Sequence, residues 1–312
     1  MATSTTPEKI IIDTDPGIDD AMAIAFALLN PDIELLGLTS AFGNVTIDVA
    51  TRNALALVEM AEMECPVARG AGAPLVQEPH PVADFVHGAE GFGTVEAMMP
   101  QREEDPRPAH EFICDQVNAA PGDVVLCPVG PLTNLALALR HDPGIAKKVK
   151  AVHVMGASLK EGGNATEFAE ANIWQDPHAA EIVLAADWDV RLIGLDVTHR
   201  VTCHTPDFES LAEAAPILGG FLNEAVQFYF DFHEKVDGFH GCYMHDPTAV
   251  ISIIRPDLFS FDEAPVGVIV EGERAGETVL GHGSSGRPAK WASKVDVAAV
   301  KDVFLSTIRS GF

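Results

Sequence analysis

Apolar and polar positions along this chain alternate between two periods, one of strands and one of helices. A β-branched apolar run at Lys9–Thr14 predicts a buried parallel strand, and helical apolar spacing over Asp20–Leu29 predicts the helix after it. Ile33–Ser40 reads as a second strand, Ile47–Glu62 as a helix, and a short strand follows near Pro66–Ala68. Helix Ala109–Ala119, strand Asp123–Pro128, helix Leu135–Leu139, strand Val149–Met155, helix Pro177–Ala186 and strand Val190–Leu195 continue the alternation. Repetition of this kind with short connections predicts an α/β fold: an open, mostly parallel, doubly wound sheet flanked by helices. Ligands of such sheets are received at the carboxyl ends of the strands.

Two stretches break the rhythm. Gly70 to about Pro108 is rich in Pro, Gly and His, and Gly156–Asn172 is polar and glycine-bearing; long loops of this kind are often functional. Pro206–Gly238 reads as mostly helical and ends in the aromatic run Phe228–His233. Gly241–Thr248 leads into a helix through Ile254, Val266–Ala292 reads as a β-rich tail, and Val295–Ile308 as a final amphipathic helix. No repeat, low-complexity segment or linker is evident, so the expectation is a single domain over 1–312.

Composition narrows the partners. The formal net charge is −26, from 46 acidic and 20 basic residues. Such a field repels nucleic acid and anionic membranes, so neither is expected as a partner. It also suggests an acidic surface of the halophilic kind, which high salt would screen. No apolar stretch is long enough to span a bilayer, and the polar Met1–Glu8 lacks a leader's apolar region, which points to a cytoplasmic protein. Cys65, Cys114, Cys127, Cys203 and Cys242 are odd in number and lack CxxC spacing, so buried free thiols are expected rather than zinc or disulfides.

The chemistry concentrates at four predicted strand ends. Asp13, Asp15, Asp19 and Asp20 crowd around Pro16-Gly17 just past the first strand. One Asp could be a helix cap. Carboxylates this close repel one another unless a cation neutralises them, and hard oxygen donors suit Ca²⁺ or Mg²⁺. The others are Asn44, then Asn164 with Glu170 and Asn172, then His245-Asp246-Pro247. Each alone could be a turn residue, a solvated charge or a helix start. Together they are the groups that hold a sugar's vicinal hydroxyls.

The stretch Asp13-Thr14-Asp15-Pro16-Gly17-Ile18-Asp19-Asp20-Ala21 resembles the opening motif of the inosine-uridine-preferring nucleoside hydrolases. Gly43-Asn44, Val129-Gly130-Pro131-Leu132-Thr133-Asn134, Met155-Gly156, Asn164 through Glu170-Ala171-Asn172, Asp176-Pro177 and His245-Asp246-Pro247 follow in the family's order, so the resemblance spans essentially the whole chain. It implies a Ca²⁺ held by Asp15, Asp20, Asp246 and the backbone carbonyl of Val129, with Asp15 also the base that deprotonates the attacking water. It implies that Asp19, Asn44, Asn164, Glu170, Asn172 and Asp246 bind the ribose of a nucleoside and that Met155 lines the sugar pocket. His245, and His87 in a mobile loop, would lie near the base, where a His of near-neutral pKa suits protonation of the leaving group. Relatives commonly form homodimers or homotetramers.

Ala171 departs from the pattern, standing where relatives often carry an aromatic residue that touches the nucleoside. Tyr243, beside His-Asp-Pro, is a candidate replacement; Phe228 and Phe232, four apart, read as helix packing. Two other readings compete: a Mg²⁺-dependent haloacid-dehalogenase-like phosphatase, which Pro16-Gly17 followed by Asp19-Asp20 fits poorly, and a non-catalytic nucleoside-binding protein.

Overall fold

In the computed structural model of the protein, residues 6–282 and 286–311 are described; Met1–Thr5 of the polar start, Gly283–Ser285 of the expected β-rich tail and Phe312 lie outside the described residues. The apolar runs form β1 (Glu8–Thr14), β2 (Ile33–Ser40), β3 (Val67–Arg69), β4 (Val124–Pro128), β5 (Ala151–Met155) and β6 (Val190–Ile193). Between them lie α1 (Ile18–Leu29), α2 (Ile47–Met60), α3 (Asp84–His87), α4 (Ala109–Ala119), α5 (Thr133–His141), α6 (Ala171–Gln175) and α7 (Pro177–Ala185). The chain continues through α8 (Leu195–Thr198), β7 (Thr202–Cys203), α9 (Thr205–Ala214), α10 (Leu218–Val236), β8 (Cys242–Tyr243) and α11 (His245–Ile254). It ends with β9 (Phe259–Ala264), β10 (Val266–Val268), β11 (Thr278–Leu280), β12 (Ala289–Val295) and α12 (Val297–Ser310).

Eight strands pair in the order β3-β2-β1-β4-β5-β6-β12-β9, parallel throughout except for β9 at the edge. The sheet is the expected α/β one. Alternate residues of β1 feed opposite cores: Ile10 and Ile12 pack with α1, α10, α11 and α12, whereas Ile11 packs with α4, α5 and α7. The strand order reverses at β1, flanked by β2 and β4, which makes its carboxyl end the switch point where open sheets leave a crevice.

Differences from the sequence reading have local causes. Val190–Leu195 stops at Ile193 because Gly194 turns the chain and Leu195 begins α8. The final helix starts at Val297, since Asp296 caps it by accepting the Ala299 N–H, and Val295 completes β12 instead. The tail is two pieces: β10 and β11 form their own ribbon, while β12 joins the main sheet and pairs with β9, a strand outside the expected tail. The Gly70–Pro108 excursion contains only α3 and is tied down from below: the Leu75 N–H donates to Asp176 Oδ2, and His80 stacks on Trp174 with centroids 3.5 Å apart. No helix among the described residues is long and apolar enough to cross a membrane.

Candidate active site

The β1–α1 turn folds the carboxylates inward because its own backbone amides need acceptors. Asp20, in the first turn of α1, accepts from the Gly17 N–H (2.9 Å) and the Asp15 N–H (3.2 Å), from Thr14 Oγ1 (2.5 Å) and from Asn44 Nδ2 (3.1 Å). Asp15 Oδ2 accepts the Asn44 N–H at 2.6 Å, leaving its buried Oδ1 without a partner. Gly43 lies so close to that carboxylate that a Cβ would overlap Asp15 Oδ2, so the β2 end can approach only as glycine. Asp19, beside them, also has a buried, unpartnered Oδ1.

Across the crevice, the start of α11 brings Asp246. One oxygen from each of Asp19, Asp20 and Asp246 lies within 4.8 Å of the others, and all three side chains are buried. Burial first, and mutual repulsion second, push Asp15 and Asp246 well above the usual carboxylate range and Asp19 up to about 8. Buried carboxylates this close require a counter-charge, and an all-oxygen donor set fits a hard divalent cation. The unpartnered Oδ1 atoms of Asp15 and Asp19 offer such an ion ligands that no protein group satisfies.

Asp13 sits one layer deeper, braced by Thr39 Oγ1 (2.5 Å) and Asn134 Nδ2 (2.7 Å), while its carbonyl accepts the Val129 N–H. Burial pushes it up to about 7. It braces the turn carrying Val129. The Val129 carbonyl accepts from Asn172 Nδ2 (2.9 Å), which also donates to the Met155 carbonyl (3.1 Å) and touches Met155 Sδ (3.3 Å). Glu170 caps α6, accepting from the Asn172, Ile173 and Ala157 amides, and burial raises it to about 7. Ala157 takes φ +76°, a left-handed backbone strained for an L-residue, in the turn that delivers its amide to Glu170. Asn164 stands apart from this buried set: it is exposed, and its Oδ1 accepts the Ala171 N–H (3.0 Å).

His245 and His87 close the other side. His245 Nδ1 lies 2.8 Å from Thr198 Oγ1, and both side chains are buried. His87 does not sit in an open loop: it ends α3, buried, with Nδ1 accepting the Ile18 N–H at 3.2 Å and lying 3.9 Å from Asp19 Oδ1. Gly17 permits that approach, since a Cβ there would stand 2.7 Å from His87 Nδ1. Both rings depart from the near-neutral expectation. Burial holds His87 down at about 3 and His245 well below its ordinary value, with neighbouring histidines adding to the effect.

A set of aromatic rings joins the two histidines. Tyr229 packs against His87 (5.4 Å between centroids) and His233 (4.4 Å); Tyr243 packs against His233, His199 and His245 (4.9, 4.6 and 5.5 Å). Tyr243 was anticipated. Thr198, His199 and His233 were not, and Tyr229 stood unremarked within its aromatic run, although Tyr229 and His233 share a helix face at i, i+4 spacing. Phe228 and Phe232 are partly buried packing residues, as expected.

Comparisons with known proteins agree with this geometry. A family model described as inosine-uridine preferring nucleoside hydrolase matches residues 10–302. "Uridine nucleosidase 1" of Arabidopsis thaliana is 40% identical over 95% of this chain and 90% of its own. The solved structure of a plant nucleoside hydrolase superposes with TM-score 0.94 at 35% identity, covering 97% of this chain and 99% of that one. A structure titled purine-preferring ribonucleoside hydrolase, from Gardnerella vaginalis, gives 0.92 at 33% identity, covering 97% and 98%.

Proposed function

The chain belongs to the inosine-uridine preferring nucleoside hydrolase family, enzymes that hydrolyse N-glycosidic bonds of ribonucleosides, and on that premise we propose a Ca²⁺-dependent enzyme that releases free base and ribose. The observation that carries the reading is the buried nest of Asp19, Asp20 and Asp246 with the unpartnered Asp15 Oδ1 beside it, at the switch point of the sheet. Asp15, Asp20, Asp246 and the Val129 carbonyl would hold the ion. Ca²⁺ suits an irregular shell of oxygens that substrate hydroxyls can complete. When bound, the cation supplies Lewis acidity and cancels the repulsion among the carboxylates.

The remaining chemistry belongs to the chain. Asp15, its Oδ2 fixed by the Asn44 amide, offers Oδ1 as the base that takes a proton from the attacking water. Asp19, Asn44, Glu170, Asn172 and Asp246 would grip the ribose hydroxyls, with Asn164 at the rim and Met155 as a wall. The carboxylates of Asp19, Glu170 and Asp246 stabilise the oxocarbenium-like transition state as the bond to the base lengthens. On the base side, burial favours neutral imidazoles. His87 accepts the Ile18 N–H at Nδ1, so its ring proton is on Nε2; Thr198 occupies Nδ1 of His245, which leaves Nε2 to face the base. We assign His245 the role of acid: as negative charge develops on the departing base, the ring takes up a proton from solvent and passes one on from Nε2, returning to the neutral form, while His87 donates a hydrogen bond to the base. Tyr229 and Tyr243 supply the aromatic surface that Ala171 lacks.

The same reading carries a role in cytoplasmic nucleoside salvage as a homodimer or homotetramer. The phosphatase alternative draws no support from a family match spanning residues 10–302. Ribose release from a panel headed by uridine and inosine, with Ca²⁺ and then with a chelator, at low and high salt, tests the proposal. Release that stops with chelation supports it, and nucleoside binding without release would make the protein a binder.

A further inference from the structure

Outside the crevice, α4 and α5 pack together on the Ile11 face of the sheet, with Cys114 Sγ directed at the Ala138 carbonyl and Asn118 Nδ2 at Asp142. At this junction two imidazoles and a carboxylate converge. His110 and Glu111 stand in the first turn of α4, and His141 ends α5. One ligand atom from each lies within 4.8 Å of the others, and the two imidazole rings meet edge to face with centroids 5.6 Å apart. We propose that His110, Glu111 and His141 form a second cation site, selective for a borderline transition ion of the Zn²⁺ class and bridging α4 to α5.

The donor set decides the class of ion. Two imidazoles and one carboxylate suit Zn²⁺ and its neighbours, whereas the oxygen-only nest of the crevice suits a hard ion. Ligands about a tetrahedral zinc stand roughly 3.3 Å apart, as bonds of about 2.0–2.1 Å require. The three donors therefore need to close by an ångström or so, which the exposed His141 and the half-buried His110 and Glu111 can do by rotation. The carboxyl end of α5 offsets the positive amino end of α4, where His110 and Glu111 stand, and the net charge of −26 draws cations to the surface. Another surface group, Asp231, Glu234 and His240, lacks these features: it offers one imidazole, already paired with Glu234 at 3.1 Å, and every member is exposed.

The site is tested apart from the enzymatic reading, because none of its residues touches the crevice. With Ca²⁺ in excess, equilibrium dialysis of the full chain against Zn²⁺ should find one equivalent bound by the wild type that binds at least about tenfold more weakly in His141→Ala and in His110→Ala. His141 is exposed, so its replacement leaves the fold intact. Zinc should also raise the melting temperature of the wild type, and less that of His141→Ala, because the ion ties two helices together. Equal zinc uptake and equal thermal shifts in wild type and variants would overturn the proposal.

Discussion

The carboxylate floor and the histidine–tyrosine wall share one crevice and are built on opposite plans. The floor rests on one turn: Asp13, Asp15, Asp19 and Asp20 lie within eight positions, and backbone amides of that same turn orient Asp20. Of the groups that would hold the ion, only Asp246 and the Val129 carbonyl come from elsewhere; Asn44, Glu170 and Asn172 complete the floor from other loops. The wall is collected from α3, α8, α10, β8 and α11, and its rings meet each other, the Thr198 hydroxyl, the Ile18 amide and the Asp237 carboxylate. A floor made of short-range hydrogen bonds between main chain and side chain is stiff. A wall made of ring contacts between separate helices can be altered one ring at a time. On the proposed reading, the difference separates what every substrate needs, a ribose and its developing charge, from what varies, the base.

Substitutions can break that division or sharpen it. The largest effect is expected at the floor: Asp15→Asn should reduce turnover by about 10³-fold or more on every nucleoside, because general-base catalysis alone contributes about 10²–10⁴-fold. An amide oxygen can still accept the Asn44 N–H, so circular dichroism should report an intact fold; substrate-dependent losses would place Asp15 in the wall instead. At the wall, His245→Ala should slow uridine and inosine by about 10²-fold and barely affect a nitrophenyl riboside, whose leaving group departs without a proton. Equal losses on both would remove His245 as the acid. The smallest change is expected from Thr198→Val, which deletes the hydroxyl at His245 Nδ1: about fivefold on uridine, consistent with one hydrogen bond of about 1 kcal/mol, and restored by Thr198→Ser. In a His245→Ala background the same change should do nothing further, and a full additional loss would show Thr198 acting independently of the ring.

The two regions also differed in what their residues disclose. The floor was legible because its chemistry is contiguous and follows a β-branched run that can only be a buried strand. Its partners were carried by the family resemblance through short motifs, and the structure brings Asn44, Glu170, Asn172 and Asp246 to the same crevice. The wall was not legible. Thr198 looks like any helix threonine until β6 ends at Gly194 and α8 turns it toward α11. His233 lies in an aromatic run whose alternate members pack a core. Which face of α10 meets α3 depends on where the Gly70–Pro108 excursion is pinned, by Asp176 and Trp174 among others, and no local pattern encodes that anchoring.

The union of Asp19 and Asp20 with Asp246 also bears on biosynthesis. These residues come from opposite ends of the chain, so during translation the first two wait, without their third member, until α11 has been made. A fragment lacking the last quarter has an incomplete nest and a weakened grip on any cation. Capture of an ion there would report that synthesis has passed α11: only a chain whose α11 has closed onto the β1–α1 turn would gain the added stability that a ligand present at a hundred times its dissociation constant confers, about 2.7 kcal/mol.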